Sequence, residues 1–274
     1  MELITNISSI TKGYNFAKNL KKGFITNCFI TSDKFDKIIN KKILYEIIID
    51  EVVYLLKKDK GFYNLYFYAA SIESLNKSLP KLLSRLTDLT FVVDLVSKLE
   101  ICKEKLVFEN NNFSLYTSLV RMSTTTVFNN SARDIKNIRS AKLNEADLIL
   151  KLLTTYFDPK AEQLPDFDDI VSWINNDNII LFETNDKVVG FIIYDLKGKT
   201  LILRYWFVDP LYRDLKIGSQ LFKDFLNRGE DTQRKLFWVI RSNENAIKRY
   251  IHYGFVEEKM YNYVLINNNE KYGN

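Results

Sequence analysis

The sequence predicts an α/β (α+β) protein of two domains, and three observations carry that reading. Its 274 residues, 46% of them apolar, suffice for two ordinary cores. Strand-like runs of Ile, Val, Phe and Leu in the second half alternate with helix-like apolar spacing. A polar, β-branched stretch over residues 123–131 separates the halves and reads as a linker, which places the boundary at Asn130 and gives domains 1–130 and 131–274.

In the first half the spacing predicts a helix over residues 33–45 and a hairpin of residues 52–56 and 62–69 around Asp59, Lys60 and Gly61. An amphipathic helix over 72–86, a strand over 90–95 and two more strands within 106–122 follow. The second half opens with a strand at 137–140. Asn144 to Asp147 then start a helix that buries Leu148, Leu150, Leu152 and Leu153. A second helix lies behind Pro165. Strands at 178–183, 188–194 and 200–208 are joined by hairpin-like turns at Asn185-Asp186-Lys187 and Lys197-Gly198-Lys199. A helix at 217–227, a strand at 236–240, a helix at 244–252 and a strand region from Phe255 complete the order β-α-α-β-β-β-α-β-α-β-β.

Composition narrows the function classes. The two cysteines, Cys28 and Cys102, show neither metal spacing nor a disulfide framework, so a reducing cytoplasm is expected and no metal site. Neither a basic-then-apolar leader nor an apolar run of membrane-spanning length is present, so no membrane partner is expected. The net charge of +5 divides into roughly +6 up to Lys136 and about −1 after it. Those lysines are dispersed and no Arg-rich stripe accompanies them, so no nucleic-acid partner is expected.

The chemistry concentrates in two segments. From Val208 to Leu221 a strand end passes through a polar turn into a helix start, where free N–H groups and the positive dipole end attract an anion. Gly218 removes a Cβ from that cradle, and Arg213 adds positive field. Further on, Asn243 can cap a helix carrying Ala246 and Tyr250, which Gly254 ends before Phe255.

In this order and at this separation, the two segments resemble the GNAT family of acyl-CoA-dependent N-acyltransferases. The family's turn reads Arg/Gln-x-x-Gly-x-Gly/Ala, and its closing pattern reads Asn-x-x-Ala-x-x-x-Tyr-x-x-x-Gly-Phe. The resemblance covers residues 138–266. Arg213 and Gly218 fit the first pattern, but Lys216 stands at its first glycine, where a Cβ resists positive φ and an ammonium could contact phosphate.

The resemblance implies a mixed sheet whose parallel strands 200–208 and 236–240 splay apart, with acetyl-CoA or another acyl-CoA as co-substrate in the wedge. Its contacts would come from Phe207 and Val208 through the main chain, from Arg213, Asp214, Lys216, Ile217, Gly218 and Ser219 in the cradle, and from Asn243, Ala246 and Tyr250. Tyr250 would be the general acid, and a backbone N–H near Val208 would meet the developing oxyanion. The acceptor would be a small-molecule or peptide amine, attacked directly in a ternary complex because no cysteine stands in the second half.

The general base stays open. Strand 200–208 holds no carboxylate, and Arg204 cannot accept a proton, which leaves Glu183 or a water relay. His252 sits where a histidine opposes a helix dipole, and that role suits it better than the base's. Trp173, Tyr205 and Trp206 could shape an acceptor pocket or belong to the core. Asp158, Glu162, Asp166, Asp168 and Asp169 make residues 143–173 acidic, which favours a cationic amine or is only a solvated flank.

The first half weakly resembles the second, as a degenerate GNAT-like copy in tandem. The strand at 66–70 runs into a helix start with no cradle, and Glu73 would repel phosphate there. Two rival readings remain: a non-catalytic CoA-binding module of the same fold, suggested by Lys216 and the missing base, and nucleic-acid binding by the basic half.

Overall fold

The computed structural model describes residues 1–100, 102–128 and 137–267, with Asp214 described by its backbone alone. The boundary expected at Asn130 lies outside the described residues. Two compact units emerge, one within Met1–Leu119 and Met260–Asn274, the other within Val120–Lys259.

The first unit runs β1 (Glu2–Leu3), α1 (Ile7–Asn19), β2 (Ile25–Thr26), α2 (Ser32–Asn40), β3 (Leu44–Ile49), β4 (Val52–Lys58), β5 (Tyr63–Ala69), α3 (Ile72–Arg85), β6 (Phe91–Ser97), α4 (Lys103–Glu109) and the start of β7 (Phe113–Thr124). Helix α1 begins where the Asn6 carboxamide accepts from the Ser9 N–H at 3.2 Å.

Two expectations need correction here. The helix expected over 33–45 stops at Asn40, because the β-branched run Ile47-Ile48-Ile49 draws Leu44 onward into a hairpin with β4, turning at Asp50 and Glu51. The first of the two strands expected within 106–122 is helix α4, whose buried Val107 and Phe108 pack into the core beside Phe67 and Phe113.

The second unit runs β8 (Ile138–Ser140), α5 (Ala146–Tyr156), α6 (Phe167–Asn175), β9 (Ile179–Thr184), β10 (Lys187–Lys197), β11 (Thr200–Val208), α7 (Ile217–Arg228), β12 (Arg234–Ile240), α8 (Glu244–His252) and the start of β13 (Val256–Asn267). The expected order holds except at its end, where one twelve-residue strand replaces two. In α5 the buried face is Ala146, Ile149 and Leu153, whereas Leu148 is 41% exposed. Of the four leucines expected to be buried, Leu153 lies in the core and Leu150 and Leu152 pack partly buried against it, while spacing i, i+3, i+7 gives the fully buried places to Ala146 and Ile149 and turns Leu148 outward.

Strand order is β1-β3-β4-β5-β6-β13 in the first unit and β8-β9-β10-β11-β12-β7 in the second. Residues 261–266 of β13 register antiparallel with β6 in the first unit. In the second unit Ala146, Ile149, Leu153 and Ile170 of α5 and α6 pack on Ile179, Phe191, Tyr205 and Phe207. The opposite face carries α7, whose Leu221 and Ile217 approach Gly190 so closely that a Cβ there would meet them at 3.0 and 3.4 Å.

Candidate active site

The site begins where a ladder stops. Parallel strands β11 and β12 register at Thr200↔Arg234, Leu201↔Lys235 and Ile202↔Leu236, and no further, although β11 continues to Val208 and β12 to Ile240. A bulge explains the parting. Ile193 faces Tyr205 and Tyr194 faces Leu203, so Arg204 is an extra residue that bends β11 just past its last partner on β12. Arg204 is tied to Asp195 at 2.6 Å, and Asp195 also accepts from the Trp173 indole at 2.7 Å. Beyond the bulge, the β11 edge toward β12 leaves its N–H and C=O groups outside any ladder, as a strand-like ligand requires. Phe207 and Val208 lie in this freed stretch.

Next to it the chain turns into α7. Asp209 accepts from the Leu211 N–H at 2.9 Å and opens a 3-10 turn over Pro210–Leu215 that includes Arg213 and Asp214. Lys216 then takes a left-handed conformation, φ 58° and ψ 18°, and stands at the N-cap with no side-chain hydrogen bond closing the helix. The glycine that the family pattern wants is thus replaced by a lysine that adopts glycine's conformation. The first intrahelical bond is from Gln220 N–H to the Lys216 carbonyl at 3.2 Å, so the N–H groups of Ile217, Gly218 and Ser219 have no acceptor within the helix. Among the described residues, no ion pair engages the exposed Arg213 and Lys216. The cradle therefore has the donors and charge that a diphosphate requires.

Gly218 also seats the helix: a Cβ on it would meet Trp206 Cζ2 at 3.2 Å and Val208 Cγ2 at 3.5 Å, so its missing side chain lets α7 lie close on β11.

Helix α8 brings Tyr250 to the parted strands. Asn243 caps it, accepting from the Ala246 N–H at 3.2 Å, and Gly254, at φ 81°, ends it as Phe255 N–H bonds back to the Tyr250 carbonyl at 3.1 Å. The Tyr250 ring lies 4.2 Å from Phe237 on β12 and 5.8 Å from Trp206 on β11 between centroids, and so touches both sides of the opening. Burial raises its phenol well above the ordinary range; Arg249 opposes this and Glu162 adds to it. On the freed stretch of β11, the Trp206 Nε1–H is buried and meets no acceptor among the described residues.

On the other face of β11 lies the loop between α5 and α6. Tyr205 donates to the Gln163 carbonyl at 2.6 Å, Phe157 packs edge-on against Tyr205, and Tyr156 packs on Phe207 at 4.8 Å. Of the five acidic residues of this region, Asp166 and Asp169 form the capping box of α6, and Asp158 accepts from the Lys160 N–H at 2.9 Å. Asp168 is exposed on the first turn of α6. Glu162 differs from all four. No cation or hydrogen-bond donor of the described residues meets its partly buried carboxylate; burial, with Asp158 adding, pushes it up from 4.5 to about 7.

Other expected residues fall elsewhere. Glu183 accepts from Arg139 Nε at 2.6 Å, and Arg139 also holds Glu145, so Glu183 is engaged in an ion-pair cluster near the outer edge of the sheet and is no free base. His252 is exposed in the last turn of α8, where it opposes the dipole. Trp173 and Tyr205 pack together under α6, and Trp206 stacks on Phe222 at 4.9 Å under α7.

A similar opening begins in the first unit and is bridged by a side chain, with a cavity lined by Asn27, Phe67, Leu95 and Cys102 beside it. Parallel β5 and β6 register only at Tyr63↔Phe91 and Asn64↔Val92. There β2 pairs with the end of β5, and the buried Asn27 side chain donates to the Leu65 carbonyl at 3.0 Å and the Asp94 carbonyl at 3.2 Å while accepting from the Phe67 N–H at 2.8 Å. Ser71 caps α3, accepting from the Ser74 N–H at 3.1 Å, with Glu73 in the first turn. The Asn27 carboxamide thus takes three backbone groups, of Leu65, Phe67 and Asp94, that a strand-like ligand could otherwise use.

Residues 146–255 match the model of the acetyltransferase (GNAT) family. No curated protein sequence matches the chain. An acetyltransferase from the GNAT family of Colwellia psychrerythraea shares the fold over 97% of each chain, at 11% identity and a TM-score of 0.57. A GCN5-related N-acetyltransferase from Sphaerobacter thermophilus shares it over 89% of this chain and 95% of that one, at 11% identity and a TM-score of 0.56. One from Kribbella flavida does so over 88% and 96%, at 9% and 0.54.

Proposed function

We propose that this chain, whose residues 146–255 match the GNAT family model, is an acyl-CoA-dependent N-acyltransferase that moves acetyl from acetyl-CoA to an amine by direct attack. One observation carries the reading: β11 and β12 part beside an uncapped helix start, and Tyr250 rests against both strands. The residues fit a CoA thioester, which supplies an activated acyl carbon when bound.

Main-chain groups of Phe207 and Val208 orient the pantetheine arm, and the N–H groups of Ile217, Gly218 and Ser219, with Arg213 and Lys216, hold the diphosphate. The backbone at Asp214 shapes that turn. Asn243 and Ala246 fix the start of α8, and with it the position of Tyr250. A backbone N–H near Val208 meets negative charge developing on the acyl oxygen. Tyr250, held protonated by burial, gives its proton to the departing sulfur. The first unit, whose opening is bridged by Asn27, takes a structural part.

Calorimetric titration with acetyl-CoA, followed by detection of free CoA thiol across an amine panel, tests the reading. Binding with turnover supports it. Binding without turnover on any amine favours the alternative, a non-catalytic acyl-CoA-binding module, and no binding removes both.

A further inference from the structure

We propose that Glu162 takes the proton from the acceptor amine, and that the acceptor is therefore a primary amine arriving as an ammonium ion. This rests on the acyltransferase reading and adds to it the base that β11 does not supply.

The geometry begins with the loop that carries Glu162. It is clamped to the freed half of β11 by Tyr205 through the Gln163 carbonyl, and the residues around Glu162, Ala161 and Pro165, are buried. Neighbouring residues of β11 face opposite ways: Tyr205 toward this loop, Trp206 toward Tyr250. Glu162 and Tyr250 thus flank the parted strands from opposite faces, and the Glu162 charge raises the phenols of both Tyr205 and Tyr250. An amine entering from the loop side would meet the carboxylate first and the acyl carbon next.

Among the described residues, the other carboxylates around β11 are engaged. Asp195 is held by Arg204 and Trp173, Glu183 and Glu145 by Arg139, and Asp166 and Asp169 by the start of α6. The charged and titratable groups that act on Glu162 or on its tyrosine partners are Asp158 on its own loop, Asp169 on α6, Arg204 and Asp195 near Tyr205, and Arg249 near Tyr250. None is a cation bound to Glu162. A carboxyl near neutrality can take a proton from an ammonium and return it to water within a turnover.

The bookkeeping of atoms closes. The ammonium loses one proton to Glu162; its nitrogen then bonds to the acyl carbon as the carbon–sulfur bond breaks. Tyr250 protonates the sulfur, and the second nitrogen proton restores Tyr250. Amide, free thiol and one proton, passed by Glu162 to solvent, are the products.

The test compares wild type, Glu162→Gln and Glu162→Asp with acetyl-CoA and two acceptor classes: alkylamines (a polyamine and a lysine peptide) and an arylamine that is uncharged at neutral pH. With alkylamines, kcat/KM of the wild type should rise with pH through an apparent value near 7. Glu162→Gln should lose that limb and about 100-fold in kcat, Glu162→Asp should recover part of it, and the arylamine rate should hardly change. Calorimetric affinity for acetyl-CoA should stay the same. An unchanged alkylamine profile in Glu162→Gln overturns the proposal and leaves the acyltransferase reading standing. A wild type that binds acetyl-CoA but turns over no amine overturns both.

Discussion

Ile202 and Leu236 are the last partners in the parallel ladder of β11 and β12, and the Arg204 bulge follows at once. The order matters, because a strand bent just after its final partner leaves the main-chain donors and acceptors of that edge outside the ladder. Tyr250 spans the resulting gap through Trp206 and Phe237.

Tyr250→Phe keeps the ring and removes the proton that the reaction needs. The expected outcome is a fall in kcat of about 100-fold with little change in acetyl-CoA affinity or in melting temperature. Steady-state kinetics beside a calorimetric titration would show it; a loss of affinity matching the loss of rate would instead make Tyr250 a binding residue.

Lys216 carries a left-handed backbone at the start of α7. Lys216→Gly relieves that conformation and should stabilise the protein by about 1 kcal/mol in chemical denaturation. Acetyl-CoA should bind more weakly and with a shallower dependence on salt, since one cation has left the cradle.

Glu162 also ties stability to pH. Its folded carboxyl sits near 7 against 4.5 unfolded, so between those values the native state holds a proton that the unfolded chain has released. Its stabilising share is complete below 4.5 and is lost as pH rises through 7. Melting curves of wild type and Glu162→Gln should accordingly converge near pH 4 and separate near pH 8, with the variant the more stable.

Asn27→Ala leaves the carbonyls of Leu65 and Asp94 and the N–H of Phe67 without their partner. A destabilisation of about 2 kcal/mol is expected. Wild type, with Asn27 bridging this opening, should take up one acetyl-CoA per chain; a calorimetric stoichiometry of two would contradict that.

What the sequence made legible was local. Asn243 and Gly254 mark the ends of α8 because a capping carboxamide and a positive φ are residue-specific. Strands β9 to β11 show as apolar runs between turn residues, with Asn185 and Asp186 both at positive φ. The rest depended on distant partners. Five acidic residues look alike along the chain, and only tertiary placement leaves Glu162 alone while Asp166, Asp169 and Glu183 find donors. Helical spacing over residues 33–45 concealed β3, whose identity comes from pairing with β4. Asn27 reads as an ordinary polar residue until Leu65, Phe67 and Asp94 surround it.

The strand beside β6 comes from far along the sequence: Tyr261 to Ile266 register with Ser97 to Val92, and the Asn267 carboxamide accepts from the Phe91 N–H at 2.6 Å. During synthesis, therefore, the edge of β6 stays unsatisfied until residues 261–267 have been made. A nascent chain stalled soon after Ser97 would present a bare strand edge prone to wrong pairing, and losing residues 261–267 would injure a strand made well before them.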